Sequence, residues 1–544
     1  MNRDFDSLVG KTFDLIVVGG GIIGAGIARD AALRGLQTLL LEKEDFAYGT
    51  TSRSSRLIHG GLRYLGGLQF RLVRQALKER EVLLGIAPHL VQSLPFVIPI
   101  TRGAPLHRLA LALGMHLYDL LPFGKSLPSH RRLSRRQTLE LEPGLELEGL
   151  VGSYLYYDCQ VPFVERLCLE NVLSAAEHGA SLMNHAKVTG LLRADNAVCG
   201  VQVQDLLSGE VYQVGGRVVV NAAGHWVDCV RDMLDRGVKP MVRRTKGIHL
   251  LIPQISRHAI VLFARADGRL FFVIPWQGYS LIGTTDTDYS GDLDAVDAEA
   301  RDVDYLLAEV RRAFPGVGLE NIFYTIAGLR SLADSGGRGT SDISRQHKLV
   351  DHEKRDGVGG FVSVLGGKIT SYRIVAKDTV DLVCRKLGLE ASCSTAEAPL
   401  PGAPAVPQET VEQAAQESGM PVETVAHLAT LYGSRFSQVL SLVRGDAQEG
   451  QPLCPHCRDV LAQVRHAVEK EGALTVSDFL LRRSTVGLGP CQGLDAVETV
   501  AQEMGRLLGW STAEQQRQVE AYRASAALGQ RFRVKAADVG AEPA

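Results

Sequence analysis

The stretch Phe13-Asp14-Leu15-Ile16-Val17-Val18 runs straight into Gly19-Gly20-Gly21-Ile22-Ile23-Gly24, and no other segment constrains the fold of this chain as strongly. An apolar run that stops at a glycine-rich turn and restarts as a helix is the opening of a dinucleotide-binding βαβ unit. Gly19 permits the tight turn, Gly21 has no Cβ and lets a pyrophosphate approach the backbone, and Gly24 lets the new helix pack closely on the strand. The free amides at the helix N-terminus, with the positive end of its dipole, then face the phosphates. The helical pattern reaches Gly35, and a second apolar strand, Gln37 to Leu41, ends at Glu42, an acid placed to hydrogen-bond an adenosine ribose.

A chain of 544 residues has room for two or three domains and a large core. With 59 Lys and Arg against 61 Asp and Glu, the net charge of −2 gives no reason to expect a nucleic acid or an acidic partner, so any basic patch is local. The nine cysteines are an odd, scattered set and no disulfide framework, which points to a reducing compartment. Residues Met1 to Asp6 have no apolar signal region, and no window approaches the ~20 apolar residues that span a bilayer. The expected location is therefore the cytoplasm or a membrane surface facing it.

Strand patterns ending in glycine-rich turns recur at Arg217 to Asn221 before Ala222-Ala223-Gly224, and at Gly360 to Leu365 before Gly366-Gly367-Lys368. One cofactor domain assembled from separate chain pieces follows, at about 12–100, 150–240 and 327–390. Between the last two, residues 240–326 hold short alternating strands such as His249 to Pro253, Arg269 to Pro275 and Ser280 to Thr284, which fit an antiparallel sheet covering the ligand. These pieces make a core over 10–395. A Pro/Ala-rich linker at 396–408 and a separate helical cap at 409–535 follow, the cap with apolar residues at helical spacing in Val422 to Leu431, Asp459 to Glu471 and Ala496 to Leu508.

Ile58-His59-Gly60-Gly61-Leu62-Arg63-Tyr64-Leu65, Leu281-Ile282-Gly283-Thr284-Thr285-Asp286 and Gly366-Gly367-Lys368-Ile369-Thr370-Ser371-Tyr372-Arg373 resemble signatures of the FAD-dependent, quinone-linked glycerol-3-phosphate dehydrogenase family, and the likeness runs from Phe13 into the C-terminal helices. The resemblance implies an α/β protein of amino-acid-oxidase-like fold, with a discontinuous Rossmann-like FAD-binding domain, an antiparallel β-sheet substrate domain and a C-terminal α-helical cap. It implies noncovalent FAD, oxidation of sn-glycerol 3-phosphate to dihydroxyacetone phosphate, and electrons passed to ubiquinone or menaquinone. It also implies a peripheral protein on the inner face of the cell membrane, often a homodimer. Two rivals differ in outcome: a glycerol-3-phosphate oxidase that uses oxygen, and a non-catalytic flavin-binding or electron-transfer subunit.

The chemistry of that substrate asks for fixed cations to hold a dianionic phosphate and a base to take the hydroxyl proton. By resemblance, Arg63, Tyr64, Arg330, Arg345 and Lys368 surround the phosphate and the reacting carbon, with Arg330 and Lys368 also catalytic. His249 stands at a family position near the substrate and is the expected base; His59 competes for that role but is assigned to the flavin ring. For FAD, the resemblance places Glu42 at the ribose, and Thr50, Thr51 and Ser52 near the pyrophosphate. It puts Ser55 with His59, Gly60 and Gly61 by the isoalloxazine and Val188 at the adenine, with Ala223 and Gly224 on the pyrophosphate side. Gly367, Lys368 and Thr370 close over the flavin's pyrimidine end, where positive charge stabilises the reduced ring.

Two further segments carry signals of their own. Leu109 to Leu121 reads as an apolar helix, and His130-Arg131-Arg132-Leu133-Ser134-Arg135-Arg136 follows it; an apolar helix beside a basic cluster suits an anionic membrane surface. Cys454-Pro455-His456-Cys457, with Cys491 further on, departs from the iron–sulfur module of the family's anaerobic relative, because Ala496 occupies the position of the fourth thiolate. The segment reads as a decayed site with no metal expected, the alternative being a retained cluster or metal that uses a non-cysteine ligand.

Overall fold

The computed structural model describes residues 3–65, 67–102, 105–121, 124–234, 239–333 and 347–533. Its first sheet is built on Thr12–Val18, which pairs in parallel with Thr38–Leu41 on one side and with Val211–Asn221 on the other. Phe361–Leu365 extends it beyond Val211–Asn221, and Ser181–Met183 beyond Thr38–Leu41, again in parallel. Leu15, Ile16 and Val17 are all fully buried, because the sheet is covered on both faces and its central strand has no solvent side. Helices Ile22–Leu33, Val164–Glu177 and Tyr372–Leu387 pack over one face in a single apolar core. Val211–Asn221 also pairs antiparallel with Ala197–Asp205, which continues to Ala186–Ala194. The molecule is thus a mixed α/β protein with a Rossmann-like sheet drawn from distant chain segments.

The second sheet has ten strands and is mostly antiparallel. Val242–Pro253 lies between Tyr279–Gly283 and Tyr324–Ala333, and Leu270–Trp276 and Ala259–Phe263 follow outward. The sheet then continues through Gln92–Thr101, Leu150–Gln160 and Leu57–Ile58. It therefore reaches past residues 240–326 into segments that the sequence groups with the cofactor pieces. Successive side chains along these strands point to opposite faces, and each face has its own core, under helix Ala300–Val310 on one side and helices Phe70–Ile86 and Pro105–Leu120 on the other, so the central strands are buried along most of their length.

The Pro/Ala-rich run is pinned to the core and does not trail as a free tether. The Arg29 guanidinium donates to the Ala398 carbonyl at 2.6 Å, the Gly402 amide donates to Glu170 at 2.6 Å, and Leu400 is buried. Proline cannot donate to a ladder, so such carbonyls find side-chain partners. Beyond it the helical domain is clamped to the first sheet by buried charges. Asp45 accepts from Arg482 and Arg483, both at 2.7 Å, and His185 faces Asp478 at 2.8 Å.

Candidate active site

Residues of both sheets line a cavity of about 1100 Å³. Its floor is the first strand–turn–helix. Gly19 has φ +108°, and a Cβ there would stand 2.7 Å from the Ala222 carbonyl oxygen; one on Gly24 would collide with the Gly19 carbonyl. These two glycines let the strand ends and the helix close up, while Gly21 opens onto the cavity. Thr51 Oγ1 accepts the Ile22 amide at 3.0 Å, so a hydroxyl caps the first turn beside the expected pyrophosphate position. Glu42 accepts the amides of Gly20 at 2.6 Å and Glu44 at 3.0 Å; burial pushes its carboxyl up, and the two amides pull it back.

The cavity wall brings together most of the residues assigned from the sequence. Gly19, Gly21, Glu42, Thr50, Thr51, Ser55, His59, Gly61 and Tyr64 line it from the N-terminal half. Val188, Ala223, Gly224, His249, Arg330, Gly367, Lys368 and Thr370 line it from the remainder. Thr370 Oγ1 accepts the His59 amide at 3.1 Å, joining the two glycine-rich loops, and the Lys368 ammonium lies 3.9 Å from the centre of the Tyr64 ring.

Three assigned residues stand behind the wall. Gly24 packs the helix on the strand, Ser52 donates back to the Tyr48 and Gly49 carbonyls, and Gly60 is wedged against Leu77 and Tyr118 with its amide donating to the Tyr118 hydroxyl at 2.9 Å. Arg63 sits in the short helix Leu62–Leu65, and Arg345 lies outside the described residues.

Across the cavity from the glycine turn, neighbouring strands set the polar groups. Gly247 and His249 are two residues apart on Val242–Pro253 and so face the same side, while Arg330 on the adjacent strand pairs with Thr245. A Cβ on Gly247 would collide with the Arg330 guanidinium, so the glycine makes the space in which the arginine lies. Arg330 Nη2 donates to Thr284 Oγ1 at 2.8 Å, and Nη1 donates to Asp286 at 3.0 Å and to the Thr285 carbonyl at 3.1 Å. The Leu281–Asp286 signature is therefore the arginine's seat, a role its sequence alone does not disclose.

His249 Nε2 lies 2.8 Å from Ser55 Oγ, and Nδ1 is buried with no hydrogen-bond partner among the described residues. Burial, then the charges of Arg330 and Arg56, lower its pKa to about 3, so the imidazole is neutral at pH 7. His225, tilted against Trp226 with ring centres 3.6 Å apart, also lines the cavity, and burial lowers it to about 3. Sequence reasoning missed the Ser55–His249 pair and His225. The resemblance assigns Ser55 to the flavin ring with His59 to Gly61 and does not pair it with His249, and His225 has a signal only as the neighbour of Gly224.

A cavity with a glycine turn, an N-terminal helix end and an acid at the second strand fits FAD, and the chain matches the family model described as FAD dependent oxidoreductase over residues 14–373. A second model, the C-terminal domain of alpha-glycerophosphate oxidase, matches residues 393–515. The glycerol-3-phosphate dehydrogenase of Synechocystis sp. is 42% identical over 539 residues, covering 96% of this chain and 97% of that one. The alpha-glycerophosphate oxidase of Streptococcus pneumoniae is 34% identical, covering 93% and 94%. Among solved structures, the glycerol-3-phosphate dehydrogenase of Bacillus halodurans complexed with FAD superposes with a TM-score of 0.80 at 30% identity, covering 96% of each chain. The chain belongs to the FAD-dependent glycerol-3-phosphate dehydrogenase family.

Proposed function

We propose that this protein oxidises sn-glycerol 3-phosphate to dihydroxyacetone phosphate and delivers the electrons to a membrane quinone. The observation that carries the reading is the placement of Arg330, His249 and Lys368 in one cavity with the glycine turn and Glu42. FAD, when bound, supplies the acceptor for the hydrogen on the substrate's C2. The chain's own groups do the rest. Arg330 and Lys368, with Arg63 and Arg345, hold the phosphate and place C2, and Arg330 stabilises negative charge on the substrate oxygen. His249, held with Nε2 2.8 Å from Ser55 Oγ, takes the hydroxyl proton. Burial is the main cause of the imidazole's weak basicity, and the phosphate dianion offsets the lesser part that comes from the arginine charges.

The acceptor reading is supported by the outer part of the cavity wall. Leu68, Phe70, Leu113 and Leu117 line it, and helix Pro105–Leu120 turns Leu109, Leu113 and Leu120 outward with 68%, 68% and 79% of their surface exposed. Exposed leucines on one helix suit contact with acyl chains. Asp119 near the end of that helix binds His130, and Arg131, Arg132, Arg135 and Arg136 beyond it are exposed, as an anionic membrane surface would require. No helix among the described residues is long and apolar enough to cross a membrane. We further propose the inner face of the cell membrane as its site and a homodimer as its assembly.

The test is anaerobic mixing of the purified flavoprotein with glycerol 3-phosphate, followed by a short-chain quinone under nitrogen or by air. Flavin bleaching by this substrate and rapid reoxidation by quinone support the proposal. Stoichiometric hydrogen peroxide with slow quinone reoxidation identifies an oxidase, and absence of bleaching rejects the substrate.

A further inference from the structure

The C-terminal domain holds a second cluster of reactive side chains, remote from the glycine turn. Cys454 Sγ lies 3.6 Å from Cys491 Sγ, and one carboxylate faces both: Asp495 Oδ2 is 3.3 Å from Cys454 Sγ, and Oδ1 is 3.2 Å from Cys491 Sγ. The turn Cys454-Pro455-His456-Cys457 folds back so that the His456 amide donates to Cys454 Sγ at 3.3 Å. Ala496, matched in sequence to the missing fourth ligand, is wholly buried ahead of helix Val497–Leu508; its neighbour Asp495 supplies the polar group.

We propose that Cys454, Cys491 and Asp495 bind a single thiophilic divalent cation, Zn²⁺ in chemistry, with Cys457 as the fourth ligand. Tetrahedral zinc with bonds of about 2.3 Å to sulfur and 2.0 Å to oxygen sets sulfurs about 3.8 Å apart and sulfur and oxygen about 3.5 Å apart. The observed 3.6 Å between sulfurs is close to that value, and since each sulfur now faces a different Asp495 oxygen, at 3.3 and 3.2 Å, the carboxylate turns to present one oxygen to the ion. A disulfide instead needs about 2.05 Å between sulfurs and leaves the carboxylate without a role. Cys457 lies three residues along the same turn, half-buried, with Sγ 4.0 Å from the Cys454 carbonyl oxygen, and its side chain would have to turn from there to complete the site.

The ion is structural. It joins two loops 37 residues apart at the face where the helical domain meets the second sheet. There the Tyr324 hydroxyl donates to the Leu488 carbonyl at 2.8 Å, and the Tyr522 hydroxyl donates to the Gln492 carbonyl at 2.6 Å. Binding releases the thiol protons to solvent and changes no oxidation state.

The experiment uses the full-length flavoprotein, reduced, treated with a chelator and titrated anaerobically with Co²⁺. One equivalent should bind, giving ligand-field bands to the red of the flavin absorption, and Zn²⁺ should displace it and raise Tm. Cys491→Ser and Asp495→Asn should each weaken binding more than about tenfold. Cys457→Ser should diminish the thiolate charge-transfer band, and Cys199→Ser, an exposed cysteine elsewhere, should change nothing. Asp495→Asn keeps the side chain's shape, so it remains informative if Cys491→Ser misfolds. No stoichiometric binding, binding indifferent to both Cys491→Ser and Asp495→Asn, a Cys454–Cys491 disulfide in freshly isolated protein, or iron with acid-labile sulfide would each overturn the proposal. A charge-transfer band untouched by Cys457→Ser would overturn that ligand.

Discussion

Glu42 and Asp45 lie three residues apart where the second strand ends, yet they serve opposite purposes. Glu42 faces the large cavity and touches only backbone amides, so part of its hydrogen-bonding capacity remains for a ligand. Asp45 turns the other way and is saturated: Arg482 and Arg483 at 2.7 Å, with Asn184 at 3.1 Å. A ligand site is made by withholding partners; a domain seam is made by supplying all of them. The same contrast separates the histidines. His249 and His225 on the cavity wall are held neutral, whereas Asp478 raises the pKa of His185 in the seam.

Breaking the seam should have the largest effect. Asp45→Ala removes the carboxylate that Arg483 pairs with and one of the two, with Asp478, that Arg482 pairs with, leaving a buried arginine charge uncompensated, a class of change that costs about 3–5 kcal/mol. We expect a large drop in Tm with loss of flavin, measured by calorimetry and flavin fluorescence. An unchanged Tm would mean that water reaches Arg482 and Arg483. Next comes the cavity. Arg330→Ala should lower kcat and kcat/KM together by roughly a hundredfold or more, the size expected when one preorganised charge-stabilising donor is lost. Flavin content must stay normal. If kcat were kept and only KM rose, Arg330 would be a phosphate clamp and no more; Arg345→Ala, the expected clamp, should raise mainly KM.

The cavity was readable in the sequence because glycines announce it. Gly19, Gly21, Gly61, Gly224 and Gly367 each mark a close approach or a left-handed turn, and they stand where local patterns end. The strands around His249 follow from alternation, and Val242–Pro253 begins earlier than its apolar end suggests because Arg243, Arg244 and Lys246 find acidic partners in the fold. The seam was not readable. Asp45 meets arginines more than four hundred residues away, and nothing near any of them signals burial. That Ser52 and Gly60 stand behind the cavity wall was unreadable for a related reason. Motif membership does not say which side of a loop faces the ligand, and that is decided by Tyr48, Leu77 and Tyr118.

Acid should pull the two regions in opposite directions. A histidine whose folded pKa is about 3 against about 6.5 unfolded contributes stability that is present above pH 6.5 and lost as pH falls toward 3. At pH 5 the loss is roughly 2 kcal/mol for each of His249 and His225. His185, raised in the fold, has the reverse sign: its contribution is full below pH 6.5 and fades as pH rises through its folded pKa. Urea unfolding from pH 5 to 8 should therefore show His249→Gln losing less stability on acidification than the parent. His185→Gln should lose more. Parallel pH curves for all three proteins would refute the electrostatic contrast.

Salt sharpens the comparison at its weakest end, because arginine occurs in both settings. Arg482 and Arg483 are shielded from solvent ions in the seam, so thermal stability there should change little between low and high ionic strength. Arg131, Arg132, Arg135 and Arg136 are exposed beside the helix with outward leucines, and each basic residue near an anionic surface is worth about 1 kcal/mol. Arg131→Ala or Arg135→Ala should then weaken sedimentation with anionic vesicles about fivefold at low salt, with kcat toward a soluble dye unchanged. At ~1 M salt the Debye length shrinks to about 3 Å, and parent and variant should converge on the residual binding that the leucines provide. A difference that survived high salt would place these arginines in a specific headgroup pocket instead of a diffuse field, and equal binding at low salt would remove the basic cluster from the membrane surface altogether.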